Sequence, residues 1–436
     1  MKSIWQETAE RPTFPSLEGR VKTDVVIIGG GATGILCAHM LKEAGVDCLL
    51  LEADRICGGV TQNTTAKITL QHGLHYDKMI SRFGTEAARG YLEMQRAALA
   101  RYNALAEDIE CDFETRASYV YSMKNTEVIE REVRALELLG CKASFTTKTE
   151  LPFSVAGAVK ISEQAQFHPL RFFYTLAMDL PIYERTKALE LMPWGVRCER
   201  GEVRAEKIIV ATHFPILNKH GAFFIKMYQH RSYVLALEGA KKLLGMYVDE
   251  EVDGLSFRSF GKHLLLGGGG HRTGKNGGNW AELSTVAYRY YPKSHEVYRW
   301  ATQDCMTLDN VPYIGQYSKK TPNLFVATGY NKWGMTSAMT AAILLADLVQ
   351  GRENPYAEVF LPSRSILRPQ LAINAAETIK SWLTPTSPRC PHLGCALKYN
   401  KQEHTWDCPC HGSRFTEQGE LIENPATDDL ERLKKS

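Results

Sequence analysis

Apolar and polar positions along this chain predict an α/β body interrupted by a region of sheet. Residues 24–29 (DVVIIG) form a short β-branched apolar run that ends in a glycine cluster, and residues 35–44 then repeat apolar positions at helical spacing. That order predicts strand, tight turn and helix. A second apolar run, residues 48–52 (CLLLE), closes on an acid and completes a βαβ start. Residues 76–109 hold a helical period with few breakers, and residues 112–150 alternate between strand-like and helical stretches. Residues 182–191 (IYERTKALEL), a turn around Gly201 and the run 207–212 (KIIVAT) predict a hairpin arm that feeds another buried strand. Strand-like runs then follow one another from 232 to 266, the pattern of a mostly antiparallel sheet. After them come a buried strand at 323–328 (NLFVAT) and a long helix over 335–348 opened by Gly334.

With α/β pieces on both sides of the sheet region, one domain is expected to be inserted into a discontinuous other. The expected division gives residues 1–80, 151–215 and 305–362 to the nucleotide-binding α/β domain and residues 81–150 and 216–304 to a substrate-covering sheet domain. Residues 363–388 read as a proline-flanked linker helix, and residues 389–436 as a small β-rich module. A chain of 436 residues is long enough for two or three such domains.

Composition narrows the class only by exclusion. Hydrophobic residues at 44% and charged residues at 23% are those of a globular protein, which excludes disorder and fibre. Without a dense Lys/Arg block, nucleic acid is not an expected partner. The start, MKSIWQETAERPTF, has no apolar signal region and no long apolar run follows, so no membrane span and a cytoplasmic location are expected. Cysteine usage is more informative. Of eleven cysteines, seven are scattered singly, while Cys390, Cys395, Cys408 and Cys410 crowd together near the end. Without a secretory context this clustering points to metal or redox chemistry.

Those four belong to a double motif, residues 390–395 (CPHLGC) and 408–413 (CPCHGS), separated by twelve residues. Each half offers a Cys and a His. A Rieske [2Fe–2S] centre takes two thiolates on one iron and two imidazoles on the other, which Cys390, Cys408, His392 and His411 can supply. A tetrahedral Cys₂His₂ zinc site is the rival, though it gives no reason for Cys395, Cys410 or the Gly-Ser after the second His. The pair of motifs resembles the Rieske family, and within it the respiratory cytochrome complexes. The resemblance implies a disulfide between Cys395 and Cys410 and a hydrogen bond from Ser413 to a cluster sulfide. It also implies a loop over the cluster at Asn424, Pro425 and Ala426. Phe415 stands where the high-potential members carry a tyrosine hydroxyl, so a lower potential than theirs is expected. Only residues 384–389 separate the predicted helix from Cys390, too little for a complete Rieske domain, so the module is expected to lean on the body.

Residues 29–34 (GGGATG) fit G-x-G-x-x-G between strand and helix. Gly29 suits the turn, Gly31 the approach of a pyrophosphate and Gly34 the packing of helix on strand. Glu52, 18 residues after Gly34, is placed to accept the adenosine ribose hydroxyls. The motif alone leaves FAD and NAD open. Ala32, Thr33 and Gly34, the 207–212 strand and the set Thr307, Asp309, Pro312, Gly315, Gly329 and Gly334 resemble the glycine/D-amino-acid oxidase (DAO) superfamily of FAD enzymes. That resemblance implies FAD, with Gly329, Gly334, Met335 and Thr336 as further cofactor contacts. More narrowly, an oxidase body joined to a C-terminal Rieske module resembles a bacterial family of flavin–Rieske oxidoreductases. Residues 63–67 (NTTAK), 164–169 (QAQFHP) and 300–304 (WATQD) look like its recurring segments.

Catalytic residues are not legible, and the candidates rest on residue type. Thr65 and Lys67, with Gln71 and His72, follow the second strand, where such folds approach the flavin ring. Arg231 and Tyr233 offer the cation and phenol that hold a substrate carboxylate in amino-acid oxidases. His271 follows four consecutive glycines, and Lys332 precedes Gly334. Cys305 sits near the region where sarcosine oxidases attach flavin, although a buried structural thiol is the plainer reading. The expected activity is oxidation of an amine or amino acid by hydride transfer to FAD, with single electrons leaving through the cluster to an external carrier. A reductase running the opposite way and a redox sensor or carrier without turnover are the alternatives.

Overall fold

The computed structural model describes residues 2–217, 220–365, 368–385 and 388–430. Residues 366, 367, 386 and 387 of the expected linker and 431–436 of the expected module lie outside that description. The first sheet is built on parallel strands that are apolar on both faces. Gly19–Ile28 lies between Cys48–Leu51 and Gly201–Val210, and Leu324–Thr328 follows on the outer side of the latter. Val25, Val26, Ile27 and Leu50 are almost completely buried, as expected where helices cover both faces. Helix Ala32–Glu43 packs behind this sheet, and helix Gly334–Val349 packs against it and against Thr85–Ala106. The 334–349 helix is apolar nearly all round, because it has neighbours on every side.

A second, mostly antiparallel sheet has nine strands, with Met227–Glu238 between His263–Arg272 and His295–Thr307. Two strands join it that the expected division gave to the first domain. Gly157–Gln166 pairs with Glu114–Ser122, and Lys67–Ile68 pairs with Gly157–Gln166. The boundary therefore needs correcting there. Neither segment carries a mark of which sheet it joins, because its partner lies far off in sequence. The glycine run 267–270 has a local cause in this sheet. Register with the 227–238 strand slips between Arg231 and Tyr233, and opposite the slip Gly268 and Gly269 take φ values of +152° and +59°. The glycines form a β-bulge.

At the C-terminal end four short antiparallel strands, Lys398–Asn400, Thr405–Asp407, Arg414–Thr416 and Leu421–Glu423, carry the cysteine loops. Their core is little more than Leu397, Phe415, Ala426, Leu430 and the four cysteines. So small a core cannot supply much stability alone, and the module is built against the body. The helix before it spans Pro369–Leu383. No helix among the described residues is long and apolar enough to cross a membrane.

Candidate functional site

A cavity of about 920 Å³ runs along the ends of the parallel strands and under the second sheet, at the large end of the range for cofactor sites. The glycine turn forms one wall. Gly29 has φ +111°, and a Cβ there would stand 2.6 Å from the Ala211 carbonyl oxygen. Any Cβ on Gly34 would strike the Gly29 carbonyl, so that position lets helix and strand meet rather than lining the cavity. Glu52 accepts hydrogen bonds from the Gly30 and Asp54 amides at 2.7 and 2.9 Å, while burial pushes its carboxyl above the usual range. Gly29, Gly31, Ala32, Thr33, Glu52, Thr65, Lys67, Gly329, Gly334 and Met335 all line the cavity. Thr336 does not: its hydroxyl donates to the Thr69 carbonyl at 3.1 Å. An open glycine wall, a helix N-terminus at Ala32 and an acid at the second strand's end are what a dinucleotide needs, so the residues present fit FAD.

Beyond this wall, burial lowers Lys67 to about 7, and its ammonium donates to the Thr65 hydroxyl at 3.1 Å. His72 stacks on Trp333 with ring centres 5.1 Å apart and also lines the cavity. Gln71 turns away and donates to the Val159 carbonyl. Cys305 is a buried thiol packed among Val26, Met227 and Tyr313, in keeping with a structural role.

The candidates Arg231, Tyr233 and His271 are brought together, but by a different partner from the one expected. Arg231 Nε and the Tyr233 hydroxyl donate to Glu403 Oε1 at 3.1 and 3.0 Å, and His271 Nε2 lies 3.0 Å from the same hydroxyl. Glu403 belongs to the cluster module, so a carboxylate of the chain itself takes the place expected for a substrate. Strand geometry explains this. Side chains alternate between faces, and Gln229, Arg231, Tyr233 and Gln303 point to the module, where Gln229 and Gln303 donate to the carbonyls of Asn424 and Gly412. The other face carries Ser232, Thr302, Asp304 and Met306, which line the cavity. Residue type alone missed this set. A two-residue count from either strand would have grouped its members, but not said which group faced inward. Lys332 does line the cavity, donating to the Val252 carbonyl at 2.6 Å, and Asn331 and Lys332 are held at φ +51° and +72°.

In the module the two motifs form facing loops, each closed by a glycine amide: Gly394 donates to Cys390 and Gly412 to Cys408, at 2.9 and 3.0 Å. The sulfurs of Cys395, Cys408 and Cys410 lie within 4.8 Å of one another, all as separate thiols. The Cys395–Cys410 bridge is thus within reach and remains a proposal. Cys390 is held below its usual thiol value, first by the Cys408 sulfur, with burial opposing and the Ser413 hydroxyl assisting. The rings of His392 and His411 stand 5.0 Å apart at 86°. Burial lowers His411 to about 3, and its Nδ1 has no hydrogen-bond partner among the described residues. Buried thiols beside a neutral imidazole with an orphaned nitrogen suit a two-iron cluster. Phe224 packs edge-on against both rings, at 6.4 and 6.0 Å.

The two sites share a boundary. Residues 421–424 and 426–428 line the cavity, and Asn424 Nδ2 donates to the carbonyls of Thr212 and Phe214 at 3.0 and 2.7 Å.

Residues 24–348 match the family described as FAD dependent oxidoreductase, DAO, and residues 365–434 match the Rieske [2Fe-2S] domain. The chain is 33% identical to the Rieske 2Fe-2S iron-sulfur protein YhfW of Bacillus subtilis, over 99% of this chain and 97% of that one. It is 24% identical to gamma-glutamylputrescine oxidoreductase of Escherichia coli, covering 78% and 86% of the two chains. Among solved structures, glycine oxidase from Geobacillus kaustophilus shares the fold with a TM-score of 0.67 and 19% identity, over 79% of this chain and 99% of that one.

Proposed function

Because this chain belongs to the FAD dependent oxidoreductase family and carries a Rieske domain at its C-terminal end, we propose that it oxidises a small amine or amino acid and sends the electrons singly to an external carrier. That it is an FAD oxidoreductase with a [2Fe-2S] cluster follows from the family; the substrate and the direction of flow are the proposal. The observation that carries it is the shared wall, in which residues 421–424 and 426–428 of the cluster module close the cavity that the glycine turn opens. A module serving some other task would have no reason to be built into that wall.

When bound, FAD supplies a two-electron acceptor for hydride from a C–H bond next to nitrogen, and the cluster supplies a one-electron relay. The chain does the rest. Gly29, Gly31 and Glu52 would hold the adenosine diphosphate end, Thr65, Lys67 and Met335 would border the ring, and the second sheet roofs the cavity and excludes water. The substrate leaves as an iminium, which water hydrolyses outside the chain's own chemistry. Sequence similarity supports the same reading, since the Escherichia coli relative is named for an amine.

Anaerobic mixing of the holoenzyme with amines and amino acids tests this, with flavin absorbance and the cluster's EPR signal followed together. Flavin bleaching accompanied by cluster reduction is the expected outcome. Failure of every compound to bleach the flavin, or rapid peroxide formation that ignores the cluster, would sink it.

A further inference from the structure

The charges that line the cavity are not those of an amino-acid site. Among the described lining residues there is no arginine, the side chain best matched to a carboxylate. Arg231, the nearest by sequence, is committed to Glu403 on the far face. Besides Glu52 at the glycine turn and Glu423 and Asp428 of the module, a group of acids lines the part of the cavity under the second sheet. Asp249 ends strand Met246–Asp249, Glu250, Glu251 and Asp253 lie on the connection after it, and Asp304 stands on strand His295–Thr307. The cation in that part is Lys332, whose ammonium is taken by the Val252 carbonyl.

Asp304 has the position of an anchor. It lies directly across from His230 in the strand pair, on the face shared with Ser232 and Thr302. His230 turns its Nε2 to Asp253 at 2.7 Å. Two buried polar atoms here have no partner among the described residues, His230 Nδ1 and the Thr302 hydroxyl, and such atoms imply a missing hydrogen-bonding group. Burial pushes the Asp304 carboxyl up to about 6, against the charges of Lys332 and Arg231. A carboxylate in that state gains most from a cation brought to it.

Resting on the reading that this cavity oxidises amines, we propose that Asp304 holds the ammonium of a cationic amine that bears no carboxylate, with the acidic stretch 249–253 selecting positive charge at the entrance. The site discriminates by sign. A zwitterion would bring its carboxylate to a wall of acids with no arginine to receive it.

The holoenzyme decides this with alkylamines and diamines of graded length, matched against ω- and α-amino acids of the same length, by anaerobic bleaching. Amines should bleach the flavin at apparent affinities at least about tenfold tighter than the matched amino acids. Asp304→Asn should raise KM for amines by about tenfold or more with a smaller change in kcat, and Asp304→Glu should recover part of that loss. Equal or better bleaching by amino acids would overturn the charge assignment while leaving the oxidase reading intact. So would an Asp304→Asn enzyme whose KM for amines is unchanged. If neither class bleaches the flavin, the oxidase reading falls and this assignment falls with it.

Discussion

Glu403 and Arg231 form an ion pair across the boundary between the cluster module and the second sheet, Nε to Oε1 at 3.1 Å, with side chains 9% and 3% exposed. Arg414 reaches the same carboxylate from within the module at 2.8 Å. Without Glu403, Arg231 keeps only Glu423 at 3.5 Å while Arg414 keeps Asp407 and Glu423, so the loss falls below the roughly 3–5 kcal/mol of a buried charge left with no partner. Glu403→Gln should therefore loosen the module, seen as lower thermal stability of the visible cluster absorbance and earlier proteolysis near residues 363–388. A variant that melts with the wild type would show that the pair does not hold the module.

The same pair predicts a pH dependence. Burial alone would raise the Glu403 carboxyl, but the guanidinium groups of Arg231 and Arg414 outweigh it and bring it from an ordinary 4.5 down to about 2. A carboxyl depressed by folding contributes stability that is present above its unfolded value and lost as pH falls through the folded one. The loss should fall between about pH 4.5 and pH 2 and amount to about 3 kcal/mol. Chemical denaturation of wild type and Glu403→Gln across that window checks it, since the difference between them should shrink as pH falls. A constant difference would assign the effect to packing.

This interface also marks the limit of what the sequence makes legible. The glycine turn, Glu52 and the two Cys-His loops were legible because each is a local pattern whose spacing is its chemistry. Arg231, Tyr233 and His271 are candidates by residue type, and type carries no direction. Which face of a strand meets the cavity depends on a register set by strands distant in sequence and by the bulge at Gly268 and Gly269, so Asp304 and Ser232 went unread. Glu403 was invisible for the same reason: it meets Arg231 across 172 residues of chain.

The orphaned Nδ1 of His411 gives a test of the cluster that is independent of the flavin. His411→Ala removes one of four expected ligands while leaving the glycine turn untouched. The variant should lose the Rieske EPR signal, keep its flavin, and still be bleached by substrate, but fail to pass electrons to a one-electron acceptor such as ferricyanide at the wild-type rate. Unimpaired transfer would mean that electrons bypass the module, and the shared cavity wall would need another explanation.

Phe415 is completely buried in the module's core, paired across the strands with Trp406 and clustered with the four cysteines. Hydrogen bonds to cluster sulfur raise the reduction potential because they favour the more negative, reduced state. Phe415→Tyr should therefore raise the potential if its hydroxyl finds a sulfur acceptor. If the hydroxyl finds none, a buried donor is left unpaired at a cost of about 1–3 kcal/mol, and the module melts earlier with its potential unmoved. The two outcomes separate on redox titration and thermal unfolding of one protein. A raised potential with stability retained would show that a hydroxyl at this position sets the potential of the module.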